Sequence, residues 1–345
     1  MTNLSTGADP AVVGPYLAEV LDEPAWTSCE VGLITGGKSN LTYRVTSAAG
    51  SVVLRRPPLG KLLPTAHDVA REHRVIAALA GSGVPVPAAL HLCGDTTVVG
   101  APFLVMQDVP GPVVRDSLPA GYAEAPSERR AIGHALVDTL ATLHALEPAA
   151  VGLGDFGRPE GFLARQVSRW TRQWESTPSD PIPSLDALAA ALAGAVPRAP
   201  AGPIVHGDFR LDNTVLDPDR PGRIAAVLDW EMSTLGDPLA DLGLTLVYWA
   251  EPGDPMVLPT GAATALPGFP SRDEIVERYA ATTGRPVDAL GWYVAFGYFK
   301  LAVVAAGIVA RVRAGAMLGE GFRGLEAGLL PLVDLGRRHL AGWCR

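Results

Sequence analysis

Three oxygen-bearing side chains in one short part of the sequence have the types needed to handle a metal ion and an alcohol. Asp208 precedes Asn213 by five residues, and Asp229 follows sixteen residues later. Two short apolar segments, near 214–217 and 223–228, lie between Asn213 and Asp229 and flank a turn rich in Pro and Gly, so they predict a hairpin. Because paired strands lie about 4.8 Å apart, we expect Asn213 and Asp229 to lie side by side.

This spacing predicts a magnesium site with a carboxylate beside it. Amide and carboxylate oxygens are hard ligands that suit Mg²⁺, which keeps several waters and binds through substrate phosphates. Asn213 and Asp229 supply two such oxygens, and Asp208 is left to orient a hydroxyl group. A metal held by two oxygen ligands, with a carboxylate at the acceptor, is the minimum equipment for phosphoryl transfer.

A glycine-rich segment near the start of the chain fits two different phosphate-binding structures. Residues 32–39, GLITGGKS, match the P-loop pattern, in which a helix begins right after the Lys-Ser pair and points backbone N–H groups at phosphate. Residues 40–45 instead alternate with period two, which is typical of a strand. We therefore favour a glycine-containing hairpin that lies over phosphates, whereas the P-loop alternative requires a helix after Ser39.

The first part of the chain is predicted to be rich in strands, with one main helix. The predicted strands lie near 41–45, 52–55, 88–93 and 102–106. A helix is predicted from an N-cap at Thr65 to about Leu79. A Pro-Gly-Pro cluster at 110–112 marks the predicted boundary, which divides the chain into an N-lobe of residues 1–107 and a C-lobe of residues 108–345.

Helical periodicity dominates the predicted C-lobe. The predicted helices lie near 127–146, 158–175, 184–195, 238–250, 271–283, 288–314 and 320–341. The fold class predicted from these patterns is α+β: a small β-rich lobe with one main helix, a larger and mostly helical lobe, and a cleft between them.

The predicted N-lobe helix carries a carboxylate on its apolar side. The apolar residues of 69–79 follow a helical spacing, and Glu72 falls on the same stripe. Because a buried carboxylate is costly unless it is paired, we expect Arg55 on the preceding strand to be its partner. The alternative is that Glu72 reaches solvent at the edge of the stripe. Arg56, the next strand residue, should point to the opposite face.

The motifs together resemble a known superfamily. HGDFRLDN at 206–213 and LDWE at 228–231 resemble the catalytic and metal-binding loops of the aminoglycoside phosphotransferase / choline kinase superfamily. They are especially similar to the branch related to the kinase-like domains of some acyl-CoA dehydrogenases. The resemblance covers nearly the whole chain. It implies a bilobal protein-kinase-like fold and transfer of the γ-phosphate of ATP, with Mg²⁺, to a hydroxyl of a small molecule.

The resemblance also implies catalytic and metal-binding roles. Asp208 is expected to be the catalytic base or to orient the hydroxyl, with Asn213 and Asp229 as the Mg²⁺ ligands. Arg210 lies where protein kinases carry a lysine that approaches the transferring phosphate, so we expect its charge to stabilise the transition state. The alternative for Arg210 is a surface position.

Further residues are implied at the nucleotide. Arg55 replaces the strand lysine of protein kinases and is expected to hold the α- and β-phosphates while it pairs with Glu72. Backbone groups near Gln107 and Val109 are expected to bind adenine. The remaining candidates, which would reach the phosphates from the glycine-rich turn, are Gly36, Gly37, Ser39 and Asn40.

Several polar residues near the motifs are expected to support the loops rather than to react. His206 is expected to brace the catalytic loop by hydrogen bonding. Asp237, which is followed by Pro238, has the signature of a helix N-cap, and Asp241 lies in the same helix start. Glu231 is expected either to contact the metal or to face solvent.

Composition excludes several classes of protein. The chain has 345 residues, of which 48% are hydrophobic and 19% charged, so a packed core is expected. The net charge of −8 opposes nucleic-acid binding. Its 3 cysteines form neither a disulfide framework nor a zinc pattern. The longest apolar stretch, 301–310, is too short to span a bilayer, so we expect a cytoplasmic protein; the sequence leaves its oligomeric state open.

Charge distribution indicates the kind of acceptor. Residues 300–345 carry 7 basic and 3 acidic side chains, whereas a polycationic aminoglycoside would be captured better by an acidic pocket. This favours a neutral or anionic hydroxylated metabolite such as a hydroxyacyl-CoA. The alternatives are a true aminoglycoside O-phosphotransferase, a catalytically silent nucleotide-binding module, and a P-loop NTPase.

Overall fold

The computed structural model describes the chain in six stretches: 7–34, 40–58, 68–198, 202–255, 263–315 and 325–343. The residues group into two compact units, of which the first contains Met1–Gly111 and Ala225–Ser233 and the second contains Pro112–Ile224 and Thr234–Arg345. These units differ from the predicted lobes mainly because Ala225–Ser233, the segment that carries Asp229, groups with the first unit.

The first unit is built on a five-stranded antiparallel sheet in the order β1-β2-β3-β5-β4. Its strands are β1 (Glu30–Leu33), β2 (Leu41–Ser47), β3 (Gly50–Arg56), β4 (Ala89–Cys93) and β5 (Phe103–Gln107). Its helices are α1 (Pro10–Val20), α2 (Val69–Leu79) and α3 (Thr96–Val99). Helix α1 was not predicted from the sequence, and like α2 it has 11 residues.

The period of two along β3 separates its side chains between the two faces of the sheet. Val52 and Leu54 pack with Leu17 of α1 in one buried cluster. Arg56 lies two residues after Leu54 and therefore on the same face of the sheet. Its guanidinium donates to the carbonyl oxygens of Gly7 and Val99. This confirms that Arg56 points away from the face of its neighbour, Arg55.

Helix α2 begins later than predicted. Asp68 is its N-cap, since Asp68 Oδ1 accepts hydrogen bonds from the backbone N–H of Ala70 at 3.1 Å and of Arg71 at 3.0 Å. The predicted cap at Thr65 is therefore wrong, and Thr65 itself lies outside the described residues. Aspartate is at least as good an N-cap as threonine, so the sequence is consistent with a helix start at either residue.

The glycine-rich segment is followed by a strand. β2 begins at Leu41 and pairs antiparallel with β1, with Leu33 opposite Tyr43. The P-loop alternative is therefore wrong, because it requires a helix after Ser39. Ser39, Gly36 and Gly37 lie outside the described residues.

The second unit is mostly helical, and its helices match the predicted ranges to within a few residues. They are α4 (Pro126–Ala145), α5 (Phe162–Glu175), α6 (Pro183–Gly194), α7 (Pro238–Tyr248), α8 (Arg272–Thr283), α9 (Leu290–Arg313) and α10 (Leu325–Trp343). The short strands of this part of the chain are β6 (Ile204–Val205), β7 (Thr214–Leu216), β8 (Ile224–Val227) and β9 (Thr234–Leu235). β6 pairs antiparallel with β9, and the unit boundary passes through β8.

Helix α9 lies in the core of the second unit, where it packs against α7 and α10. Gly243 of α7 allows the close approach, because a Cβ added there would lie 2.8 Å from the carbonyl carbon of Tyr293. In the described part of the chain, α9 is the one helix long and apolar enough to cross a membrane. It is longer than the apolar stretch noted at 301–310, and 83% of its most apolar window is buried inside the protein.

Candidate active site

The predicted catalytic loop lies in the second unit between β6 and β7. Asn213 ends a short 3-10 turn, Leu211–Asn213, and its amide nitrogen donates to the backbone carbonyl of Asp208 at 2.9 Å and to Asp208 Oδ2 at 3.1 Å. The side chain of Asp208 is 22% exposed. The structure therefore brings Asp208 and Asn213 together, with the carboxylate at the surface and the amide oxygen of Asn213 directed away from it.

Helix α7 fixes the backbone of this loop. Asp241 accepts hydrogen bonds from the N–H groups of His206 at 2.6 Å and Gly207 at 2.7 Å. One turn later, the Thr245 hydroxyl donates to the carbonyl of Phe209 at 2.8 Å. Residues four apart lie on the same face of a helix, so one face of α7 holds three backbone groups of the loop, on either side of Asp208.

Asp241 belongs to a buried polar network. Its Oδ2 lies 3.2 Å from His144 Nε2, and His144 Nδ1 lies 2.8 Å from the Tyr279 hydroxyl. Burial alone would raise the pKa of Asp241, but the hydrogen bond from His144 and the nearby His206 hold it below its usual value. The supporting role predicted for Asp241 is confirmed, whereas His144 and Tyr279 were not predicted as parts of this network.

The loop supports predicted from sequence patterns are also present. The His206 ring accepts a hydrogen bond from the Asp208 N–H at 3.2 Å, so His206 braces the loop as expected. Asp237 caps α7, with its Oδ1 accepting from the Leu239 N–H at 2.9 Å, and the Tyr293 hydroxyl donates to the other oxygen at 2.6 Å.

Arg210 is held between two carboxylates and an aromatic ring. Its Nε lies 3.3 Å from Asp208 Oδ2 and its Nη1 lies 3.0 Å from Asp212 Oδ2. The guanidinium carbon lies 4.5 Å from the centroid of the Tyr248 ring, within the range of a cation–π contact. Burial raises the pKa of Asp212 although the charge of Arg210 opposes it. Arg210 is 26% exposed and held by these contacts, and its role at the transferring phosphate stays a prediction.

The first unit contains a second charged cluster, centred on Arg55. Arg55 Nε lies 3.0 Å from Glu72 Oε2, and Nη2 forms an ion pair with Asp229 and lies 3.5 Å from Glu231 Oε2. The side chain of Glu72 is 1% exposed. The predicted pair of Arg55 and Glu72 is confirmed, and the alternative of a solvent-reaching Glu72 is wrong.

Burial and charge oppose each other in this cluster. Burial raises the pKa of Glu72 to about 7, although the positive charge of Arg55 lowers it. Burial also lowers the pKa of Arg55, but the carboxylates of Glu72, Asp229 and Glu231 outweigh this and raise it overall. Arg55 is thus a permanent buried cation, and the surrounding carboxylates stabilise its charged form.

We expect Arg55→Met to lower the free energy of unfolding by about 3 kcal/mol, because it leaves Glu72 buried without its cation. The matched control is Arg44→Met in the same unit. Arg44 is 56% exposed and pairs with Asp108 at 2.6 Å, so its loss should cost less than about 1 kcal/mol. Urea denaturation measures both changes, and similar losses in the two variants would contradict the assignment.

Asp229 adopts an unusual backbone conformation directly after β8. Its φ is 65°, in the left-handed region that few residues other than Gly, Asn and Asp adopt. The next residue, Trp230, is buried, and its indole N–H donates to the Val227 carbonyl at 2.9 Å. The side chain of Asp229 remains 29% exposed. Asp229 and Asn213 lie in different units, so their sharing of one cation stays a prediction.

Three of the predicted residues have hydrogen-bond partners within the first unit. Glu231 is 20% exposed, and its Oε2 accepts from Asn40 Nδ2 at 3.0 Å and lies near Arg55, so it does not simply face solvent. Asn40 is 5% exposed and uses its amide nitrogen for this bond, and its contact with phosphate stays a prediction. The backbone N–H of Gln107 donates to the Ala88 carbonyl at 2.9 Å, and the binding of adenine by backbone groups near Gln107 and Val109 also stays a prediction.

Comparisons with known proteins show the family of the chain and agree with its fold. A family model described as the phosphotransferase enzyme family matches residues 30–275. The chain is 37% identical over 300 residues to acyl-CoA dehydrogenase family member 10 of Mus musculus, a match that covers 86% of this chain and 28% of that protein. The chain therefore spans less than a third of the length of this curated relative.

Solved structures give the same class. A Ralstonia eutropha JMP134 protein whose proposed activity is aminoglycoside phosphotransfer has a TM-score of 0.80 and 33% identity, covering 97% of this chain and 98% of that chain. A thermostable mutant of aminoglycoside phosphotransferase APH(4)-Ia, in a ternary complex with ADP and hygromycin B, has a TM-score of 0.61 and 15% identity, covering 95% and 98%; at this identity it shows the fold alone.

These findings confirm the α+β, protein-kinase-like fold and define the class of small-molecule kinases, which transfer phosphate from a nucleotide to a small acceptor. The chain belongs to the phosphotransferase enzyme family.

Proposed function

We propose that the chain transfers the γ-phosphate of ATP to a hydroxyl of a small molecule, with Asp208 as the residue that orients the hydroxyl and accepts its proton. The observation that carries this proposal is that Asp208 combines a partly exposed side chain with a firmly held backbone. Its carboxylate is partly exposed, while the backbone on both sides is bonded to Asp241 and Thr245. A base held on a fixed backbone meets the geometric requirement of general base catalysis.

We propose Mg²⁺ as the second cofactor, with Asn213 and Asp229 as its protein ligands. Two observations support the fit. The amide nitrogen of Asn213 donates to Asp208, so the oxygen is left as its ligand atom, and Asp229 is a partly exposed carboxylate. Both are the hard oxygen ligands that Mg²⁺ prefers. When bound, the ion neutralises charge on the β- and γ-phosphates.

The basic residues of the two clusters supply further charge. Arg210 lies beside Asp208, and we propose that its guanidinium stabilises the negative charge on the transferring phosphoryl group. Arg55 is proposed to bind the α- and β-phosphates through its planar fork while Glu72 holds it in place. The other residues that keep their predicted places around the nucleotide as part of this proposal are Gly36, Gly37, Ser39, Asn40, Gln107 and Val109.

For the acceptor, we propose a neutral or anionic hydroxylated metabolite such as a hydroxyacyl-CoA. The support is the excess of basic over acidic side chains in residues 300–345, 7 against 3, which disfavours capture of a polycation. The relative that carries a similar chain is an acyl-CoA dehydrogenase family member. One solved structure of similar fold contains ADP and hygromycin B, so aminoglycosides are tested as alternative acceptors.

The test is ATP consumption by the purified chain across hydroxyacyl-CoAs, sugars, amino alcohols and aminoglycosides. We expect consumption that depends on both Mg²⁺ and a hydroxyacyl-CoA, with a phosphorylated acceptor identified by mass spectrometry. Omission of the acceptor and chelation of the metal are the controls. Faster turnover of an aminoglycoside would overturn the proposed acceptor, and ATP binding without consumption would favour the silent nucleotide-binding module.

A further inference from the structure

Helix α9 carries one ammonium group within an otherwise apolar stretch. Lys300 is one of only three lysines in the chain, and both neighbours, Phe299 and Leu301, are buried. Lys300 itself is half-buried. An ammonium group is costly to remove from water unless it gains bonds in exchange, so its place in a core helix indicates that it has a specific partner.

The partner is the catalytic loop. Lys300 Nζ donates to the carbonyl oxygen of Gly207 at 2.8 Å and lies 5.5 Å from the centroid of the Trp170 ring of α5. Burial lowers the pKa of Lys300, while the negative charges of Asp208 and Asp241 oppose that shift. Lys300 thus joins α9 to the loop by a direct hydrogen bond to its backbone.

The carbonyl that Lys300 binds belongs to the peptide bond between Gly207 and Asp208. The N–H of the same peptide, on Asp208, donates to the His206 ring at 3.2 Å. A peptide unit is planar, so bonds to its oxygen and to its N–H together fix the orientation of the plane. That plane in turn sets the direction in which the Asp208 side chain leaves the backbone.

The conformation of Gly207 makes this restraint necessary. Its φ is 86°, a value that glycine adopts about as readily as several others because it has no Cβ. Its N–H is held by Asp241 at 2.7 Å, but that bond restrains the preceding peptide. If the Gly207 carbonyl had no hydrogen-bond partner, the Gly207–Asp208 peptide would be held only through the bond from its N–H to His206.

We propose that Lys300 is a positioning residue for phosphoryl transfer: it fixes the Gly207–Asp208 peptide and thereby aims the Asp208 carboxylate. This inference rests on the proposed function of Asp208. A lysine that only packs α9 against the loop would affect stability but would not change turnover in the folded enzyme.

The kinetic test compares Lys300→Met with Lys300→Arg. We expect Lys300→Met to lower kcat roughly a hundredfold, the cost of a small misplacement of a catalytic group, with little change in KM for ATP. Lys300→Arg keeps a cationic donor and should restore most of kcat. The matched control is Arg313→Met on the same helix, where the side chain is 49% exposed and pairs with Asp180 and Glu326; it should keep wild-type kinetics.

Hydrogen exchange gives a readout that needs no turnover. We expect Lys300→Met to increase exchange of the Asp208 amide within the 204–213 segment, while α4 keeps wild-type protection.

A wild-type protein that consumes no ATP would refute the proposed function, but this measurement would still test Lys300. Wild-type kcat in Lys300→Met, unchanged exchange in 204–213, or a loss of protection throughout the second unit would each overturn the positioning role. If Lys300→Met does not fold, the same comparison is made with Lys300→Gln, which keeps a polar end but is too short to reach Gly207.

Discussion

Asp208→Asn is expected to lower kcat by about 10²–10⁴-fold, the usual contribution of a positioned general base, while the protein continues to bind ATP. The amide has nearly the same shape as the carboxylate but does not accept a proton at neutral pH. The loop should keep its conformation, because Asp241 and Thr245 hold its backbone without using the Asp208 side chain. Steady-state kinetics and an ATP-binding titration on the same preparation measure the two quantities.

Asp212→Asn is the matched control for this substitution. Asp212 lies on the same loop and also pairs with Arg210, at 3.0 Å, so its substitution removes a negative charge from the same guanidinium. We expect a much smaller loss of kcat. Wild-type turnover in Asp208→Asn would remove Asp208 from its proposed role, and equal losses in the two variants would assign the effect to the charge of Arg210.

Substitution of Asp229 is expected to remove the Mg²⁺-dependent part of the affinity for ATP. The loss should reach at least the roughly tenfold to hundredfold that follows from damage to an outer-shell partner of a metal site. Because the φ of Asp229 is 65°, alanine would add backbone strain to the loss of the carboxylate. Asp229→Asn is therefore the better variant, since asparagine tolerates this conformation.

The measurement for Asp229→Asn is ATP titration with Mg²⁺ and with EDTA. Glu231→Gln is the control, because Glu231 also lies beside Arg55 but is bonded to Asn40 and is not a proposed ligand. We expect Glu231→Gln to keep most of the difference between the two titrations. An intact metal-dependent affinity in Asp229→Asn would contradict its assignment as a Mg²⁺ ligand.

Local patterns predicted those parts of the molecule that depend on neighbouring residues in the sequence. The alternation in 41–45 and the turn that leads into 52–55 predicted β2 and β3, and the Asp237-Pro238 pair predicted the start of α7. The Arg55–Glu72 pair was also predicted, because a carboxylate on an apolar helical stripe must find a cation. The start of α1 has a comparable signal, since Asp9 caps it and Pro10 is its first residue, so this helix was also predictable from the sequence.

The remaining contacts depend on residues far apart in the chain, where the sequence pattern carries no information on distance. Asn40 bonds to Glu231 across 191 positions, and Lys300 reaches Gly207 across 93 positions. The occupied amide of Gln107 likewise depends on Ala88, on the segment entering the neighbouring strand β4. A lone lysine inside an apolar helix was the one available signal for Lys300.

The crossing of α7 and α9 has a consequence for the interpretation of variants. A side chain at position 243 would clash with the backbone of Tyr293 and push the two helices apart. Asp241 lies only two residues away, so this displacement would shift the carboxylate that accepts hydrogen bonds from His206 and Gly207. We therefore expect a substitution at Gly243 to lower turnover through the proposed catalytic loop, although the residue itself is packed against α9.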